Sequence, residues 1–131
     1  MKVINTSGKR KRAIARASLT QGSGIIRVND IPLDCFQPKL ARLKLREPLL
    51  LAGALADKVN IDVNVAGGGF MSQAEAARLS IARAMVEFDK KLEEVFLKYD
   101  RHLLIADVRR KESSKPNCHG QARAKRQKSY R

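Results

Sequence analysis

Two stretches of the chain alternate between apolar and polar residues with the two-residue period of a β-strand. In residues 12–19, Arg12 and Arg16 lie on one face and small or apolar residues occupy the other. In residues 59–65, β-branched residues alternate with Asn and Asp. The positions predicted to face a core are Ala13, Ala15, Ala17, Leu19, Val59, Ile61, Val63 and Val65. Each pattern predicts a strand in a sheet covered on one side.

A turn and two short apolar runs follow the first of these strands. Residues 21–24 are typical of a turn, and residues 25–28 predict a second strand. Residues 29–30 predict another turn, which leads into the apolar run 31–33. We expect a first hairpin among these strands and turns.

A short helix is predicted for residues 37–46, where apolar residues recur every three or four positions. The residues expected to face inward are Phe36, Leu40 and Leu43, with Ala41 or Leu45 beside them. Pro38 suits a first helical turn, and Pro48 predicts a break in the helix. A brief helical turn is expected through residues 49–56.

The longest helix is predicted after the glycine run at residues 67–69. Ser72 and Glu75 have the S-x-x-E spacing of a capping box, so Ser72 is expected to cap the helix. The apolar stripe comprises Ala74, Ala77, Ile81, Met85 and Phe88, with Leu92, Val95 and Tyr99 as its extension. We expect a bend near residues 89–90.

The periodic pattern stops beyond Arg109, after an apolar run at 103–106 that is expected to dock on the core. These patterns predict an α+β fold, in which a β-sheet packs against helices in one compact domain. We place this domain, with its basic N-terminal strand, at residues 1–108. Residues 109–131 are predicted to form a long, extended, basic C-terminal tail.

Charge is unevenly distributed along the 131 residues, which hold 27 Lys and Arg against 13 Asp and Glu, a formal charge of +14. Residues 1–16 carry six basic and no acidic side chains, and residues 100–131 carry ten basic and three acidic ones. Residues 17–99 are nearly neutral, with eleven basic and ten acidic side chains. Basic ends on a neutral body are typical of proteins that embed those ends in nucleic acid.

Membranes are a weaker match to the sequence. Without Trp and with 5% aromatic residues, the chain lacks the apolar face with which a basic helix lies on an anionic membrane. No apolar run approaches the roughly 20 residues of a membrane helix, and the first residues lack the apolar core of a secretory signal. A cytoplasmic location is therefore expected.

Folded RNA is the favoured partner, because extended arms can enter crevices that a regular DNA groove does not offer. A protein that compacts DNA is the alternative. Arg holds phosphate with two parallel hydrogen bonds, and Lys acts as a mobile charge. The cations expected to bind RNA are Lys9, Arg10, Lys11, Arg12, Arg16, Arg109, Arg110, Lys111, Lys115, Arg123, Lys125 and Arg126.

No arrangement of residues in the sequence predicts an enzyme, a metal site or a cofactor. The Cys and His residues, Cys35, Cys118, His102 and His119, lack the paired spacing of a zinc site, and both thiols are expected to be free. The glycine run approximates a dinucleotide-binding motif without its third glycine. A tight turn, a contact with RNA phosphate and the nucleotide site of an enzyme remain the alternatives there.

Three motifs are specific in residue type and spacing: GKRKRAIARA at residues 8–17, GGGFMSQ at 67–73 leading into IARA at 81–84, and KRQKSYR at 125–131. In these motifs the chain resembles the small-subunit ribosomal protein nine family in its archaeal form. The resemblance extends over almost the entire chain and implies a compact βα domain of a type shared by several ribosome-associated proteins.

The resemblance also implies a function. A member of this family is a structural component of the head of the small ribosomal subunit, held by ribosomal RNA and neighbouring head proteins. Its RNA-contacting stretch corresponds to residues 9–16. Its tail is expected to reach peptidyl-site tRNA, with Arg131 touching the tRNA backbone and Lys128, Ser129 and Tyr130 in support.

Overall fold

The computed structural model describes residues 3–118, 122–123 and 129–131. The strands are β1 Ile4–Arg10, β2 Ala13–Gln21, β3 Ile26–Val28, β4 Ile31–Pro32 and β5 Val59–Ala66. The helices are α1 Lys39–Ala52, α2 Phe70–Phe88 and α3 Leu92–Tyr99, with 3-10 turns at Leu33–Cys35, Gly53–Lys58 and Arg101–Leu103. The α+β class predicted from the sequence is therefore confirmed.

The five strands form one mixed sheet in the order β1-β2-β5-β3-β4. β2 pairs antiparallel with both β1 and β5, and β3 runs parallel to β5. The alternation at 12–19 and 59–65 predicted β2 and β5 correctly, and every residue expected to face the core is buried. The two strands that the sequence made clearest are thus neighbours at the centre of the sheet.

The predicted first hairpin is formed by β3 and β4 across the turn at residues 29–30. Residues 12–19 and 25–28 do not pair with each other. β5 lies between β2 and β3, because its inner face consists of buried β-branched side chains and occupies the sheet interior. β2 instead forms a hairpin with β1 through a two-residue turn at Lys11 and Arg12.

Helix α2 begins earlier than the capping box predicted. Gly69 is its N-cap, and no side chain caps the helix, so the assignment of Ser72 as the cap was wrong. Gly67 and Gly68 have left-handed backbones with φ of 77° and 67°, and this turn directs the chain into the helix three residues sooner. The longest predicted helix is otherwise confirmed.

The expected bend after α2 is present, since residues 89–91 separate it from α3. The predicted extension of the apolar stripe is only partly right. Leu92 is buried, but Val95 and Tyr99 are exposed and Phe96 is fully buried in their place. The break changes the rotational phase of the helix, so a stripe extrapolated across it points the wrong way.

Helix α1 differs from its prediction in length and in phase. It continues through the buried Pro48 to Ala52, where the sequence predicted a break. Leu40 and Leu43 are exposed, at 58% and 49%. The inward residues are Ala41, Leu45, Pro48 and Ala52. Leucines occur on both sides of this helix, so their spacing did not determine which side faces the core.

The helices cover one face of the sheet and leave the other open. α2 packs on β1, β2 and β5, and α1 packs on α2. β1 lies close against α2 at Gly8, where an added Cβ would lie 2.2 Å from the carbonyl oxygen of Ala76. No helix in the described part of the chain is long and apolar enough to span a membrane.

Candidate nucleic-acid interface

Three segments that are far apart in sequence meet at an open groove of about 1190 Å³. They are the β1–β2 turn, the glycine turn before α2 and residues 109–114 of the C-terminal segment. The cations lining it are Lys9, Lys11, Arg12, Arg109, Arg110 and Lys111. We call this surface the basic groove. It brings together positive side chains from both basic ends of the chain.

Backbone geometry fixes two walls of the basic groove against each other. Lys11 has a left-handed backbone, with φ of 52°, as tight two-residue hairpin turns require. A Cβ on Gly67 would lie 2.6 Å from the carbonyl oxygen of Arg12. The glycine turn therefore packs directly on the β1–β2 turn at residues 11–12, which we call the basic turn. A larger residue at Gly67 would separate the two turns.

The start of α2 faces the same groove. Gly68, Gly69 and Ser72 line it, and the helix has no side-chain cap. Backbone N–H groups at a helix N-terminus attract anions. The side-chain amide of Gln73 donates a hydrogen bond of 3.1 Å to the carbonyl oxygen of Gly67 and fastens the turn. The glycine run is thus a tight turn built into a cationic surface.

A family model described as ribosomal protein S9/S16 matches residues 8–131 of this chain. The chain belongs to the ribosomal protein S9 family. It is 51% identical to "Small ribosomal subunit protein uS9" of Methanococcus vannielii and 50% identical to the protein of the same name from Methanococcus maripaludis strain C7. Each comparison extends over 134 aligned residues and covers the whole of both chains.

The archaeal relatives support the archaeal type that the sequence motifs indicated. The S9 family is a structural, non-enzymatic part of the ribosome, which agrees with the prediction that the chain is not an enzyme. The role of this chain is therefore structural, within the small ribosomal subunit, and its location is the cytoplasm as part of the ribosome.

The predicted RNA-binding residues of this S9-family chain occupy different environments. Lys9, Lys11, Arg12, Arg110 and Lys111 are exposed along the basic groove. Arg16 is also exposed, but it lies on the open face of the sheet, beside Arg27 and Asp62. Arg27 was not predicted as an RNA contact, because it belongs to a three-residue strand and has no basic neighbour in the chain.

Arg10 differs from the other predicted contacts, because its side chain points into the protein and is only 16% exposed. Its Nε lies 2.6 Å from Oε2 of Glu75, and its Nη1 lies 2.8 Å from Oδ2 of Asp107. Neither acid was expected at the site. The signal available in the sequence was Asp107 itself, an acid two residues before the basic run that begins at Arg109.

Carboxylates also hold cations of the tail. Hydrogen bonds from the Arg109 side chain and backbone, with the nearby charge of Arg10, hold the pKa of Asp107 far below its ordinary value despite partial desolvation. Glu112 lies 2.8 Å from Arg123 and 3.1 Å from Lys115, and these hydrogen bonds lower its pKa. Both acids are thus ionised and partly neutralise the tail.

The end of the chain is described in part. Ser129, Tyr130 and Arg131 are exposed and are not among the residues that line the basic groove. Lys125, Arg126 and Lys128 lie outside the described residues. Cys35 and Cys118 are free thiols, and the described residues contain no cluster of His, Cys, Asp and Glu suited to a metal ion.

Proposed function

We propose that this protein binds small-subunit ribosomal RNA through the basic groove and the tail that continues from it, in the head of the subunit beside neighbouring head proteins. The observation that carries the proposal is the convergence of six cations from residues 9–12 and 109–111 on one groove. Arg16 on the sheet and Lys115, Arg123, Lys125 and Arg126 in the tail complete the proposed RNA contacts.

The shape of the groove favours a folded RNA backbone over duplex DNA. A recess lined by Lys and Arg receives a ridge of phosphates, whereas an element that reads B-DNA projects into its major groove. Phosphate contacts of this kind position the protein on RNA without reading its sequence. The uncapped start of α2 adds backbone N–H groups to the same recess.

A competition experiment tests the choice of nucleic acid. The full chain is bound to labelled small-subunit ribosomal RNA, and unlabelled RNA or duplex DNA of equal mass is added at rising salt. We expect RNA to compete better than DNA. The six groove cations alone, at about 0.7 counterions each, contribute about −4 to the slope of log affinity against log salt, and the contacts of Arg16 and the tail make it steeper. Equal competition by DNA would favour the DNA-compacting alternative.

We also propose that the end of the tail contacts tRNA in the peptidyl site, with Arg131 on the tRNA backbone and Lys128, Ser129 and Tyr130 in support. The support for this contact is the resemblance of residues 125–131 to the family terminus, together with the exposed guanidinium at the chain end. A charge-assisted contact of a guanidinium with phosphate contributes about 1–2 kcal/mol when partly desolvated.

Deleting residues 128–131 tests the tRNA contact separately from the RNA contacts of the groove. Truncated subunits are expected to assemble normally and to bind peptidyl-site tRNA about tenfold more weakly, the equivalent of about 1.4 kcal/mol. Sedimentation shows whether the truncated protein is present in small subunits. If it is present and tRNA affinity equals that of the full chain, the proposed contact is absent.

A further inference from the structure

We propose that Asp107 is a positioning residue that fixes the start of the tail against the basic turn, so that the basic groove exists before RNA binds. This inference rests on the proposed RNA-binding function. It assigns Arg10 to an internal role, as the partner of Asp107, in place of the predicted RNA contact. We call the set Arg10, Glu75, Asp107 and Arg109 the tail clamp.

The geometry of the tail clamp joins three parts of the chain. Arg10 closes β1 at the basic turn, and its Nη1 lies 2.8 Å from Oδ2 of Asp107. The opposite side of its guanidinium contacts Glu75 on α2, with Nε and Oε2 2.6 Å apart. Arg10 and Asp107 are 16% and 13% exposed, so water screens this pair less than it screens a surface pair.

Asp107 also holds the first cation of the tail. Nη2 of Arg109 lies 2.7 Å from its Oδ2, and the backbone N–H of Arg109 donates a 2.8 Å hydrogen bond to Oδ1. The Arg109 side chain remains 78% exposed, so this contact directs its guanidinium and leaves it accessible to the groove. One carboxylate thus orders both the backbone and the side chain where the tail begins.

Removing Asp107 should change RNA affinity in opposite directions, depending on whether the residue acts by its charge or by positioning the tail. The charge of Asp107, which pairs with Arg109 of the groove, weakens phosphate binding, so its removal should tighten RNA binding if charge were its whole effect. If Asp107 preorganises the groove, its removal weakens binding, because the tail must then be ordered at the moment of association. The two accounts predict changes of opposite sign for the same variant.

The test compares Asp107→Asn with Glu94→Gln, which removes the same charge from an exposed side chain of α3, outside the basic groove and the tail clamp. Affinity for small-subunit ribosomal RNA is measured by filter binding on the full chain. We expect Asp107→Asn to bind about fivefold more weakly, because side chains of the tail must then be ordered on association. Glu94→Gln should bind as tightly as wild type or more tightly. Equal or tighter binding by Asp107→Asn overturns the proposal.

Proteolysis provides a readout that does not depend on RNA. Trypsin is expected to cut the free wild-type tail beyond Lys111, and to cut Asp107→Asn faster after Arg109 and Arg110. If Asp107→Asn does not fold, Arg109→Gln takes its place, because Arg109 is the exposed member of the tail clamp. Trypsin should then cut the free Arg109→Gln protein faster after Arg110 than it cuts wild type. Unchanged cutting in the folded variant contradicts the tail clamp.

The two measurements separate failure of the proposed function from failure of the tail clamp. If the wild-type chain does not bind RNA, the proposed function is wrong. The rate of cleavage then still tests the tail clamp, because it is measured without RNA.

Discussion

The arginines of the helical layer and those of the basic groove differ in what surrounds them. Arg78 on α2 is 6% exposed, and its Nη2 lies 2.5 Å from Oε2 of Glu47 and 3.0 Å from Oδ2 of Asp100. Arg12 and Arg110 are exposed, and among the described residues no carboxylate lies within ion-pair distance of either. The arginine side chain is thus neutralised inside the fold at Arg78 and left without a carboxylate partner at Arg12 and Arg110 of the groove.

This difference divides the positive charge of the protein into two functional groups. Arg78 connects α2 with α1 and with the turn after α3, and Arg83 donates hydrogen bonds of 3.0 and 2.9 Å to the carbonyl oxygens of Leu104 and Ser7. These cations stabilise the domain. The groove cations contribute little to the fold, so substitutions in the two regions should have separable effects on stability and on RNA binding.

The largest expected effect is on stability, at Arg78. Arg78→Ala leaves Glu47 and Asp100 without their buried partner, and breaking such a pair costs about 4 kcal/mol. Denaturation with urea measures the loss in the free energy of unfolding. Lys98→Ala is the matched control, because its ion pair with Glu94 is 3.7 Å long and about 80% exposed; its effect should be below about 0.5 kcal/mol. Equal losses in the two variants would remove the distinction between the regions.

A slightly smaller loss is expected at Gly8, where β1 contacts α2. Gly8→Ala places a methyl group 2.2 Å from the carbonyl oxygen of Ala76, which belongs to helix backbone that cannot turn aside. Overpacking of this kind costs about 3 kcal/mol. Gly69→Ala is the control, since nothing lies within 4 Å of its added Cβ. A stable Gly8→Ala protein would show that β1 separates from α2 more easily than this contact implies.

Acid should weaken the Arg78 cluster over a defined range of pH. Burial raises the pKa of Asp100, but the hydrogen bonds from the His102 backbone and Arg78, with the Arg78 charge, outweigh it and leave the pKa below its ordinary value of 3.8. The stability from this carboxylate is therefore complete above about pH 5 and is lost as pH falls below that. Asp100→Asn should flatten the decline in unfolding free energy between about pH 5 and 3. An unchanged slope would contradict this role for Asp100.

The parts of the fold that the sequence predicted correctly are those in which one periodic pattern determines burial. β2 and β5 have small or β-branched residues at every second position. A shift of the strand register by one residue would turn all of them toward solvent. β1 has no such alternation, because Gly8 forms its contact with α2 through the absence of a side chain. α1 has leucines on both sides, so its spacing left the buried face undetermined.

Half of the predicted RNA-binding residues lie together at the basic groove. Their charge could be counted from the sequence, but the groove depends on contacts between residues about 55 to 100 positions apart in the chain. The internal role of Arg10 depends likewise on Glu75 and Asp107. A list of cations cannot distinguish an arginine that faces solvent from one that is paired within the fold.

Under the proposed function, the location of the cations determines RNA binding more than the net charge does. The most direct measurement compares two variants that each lose three positive charges: Lys9, Lys11 and Arg12→Ala in the basic groove, and Lys90, Lys91 and Lys98→Ala, exposed around α3. Affinity for small-subunit ribosomal RNA is determined across a salt series. In the groove variant, the slope of log affinity against log salt should be less steep than that of wild type by about 2. The control variant should keep the wild-type slope, and both variants should have unfolding free energies close to that of wild type. Equal changes of slope in both variants would contradict the account.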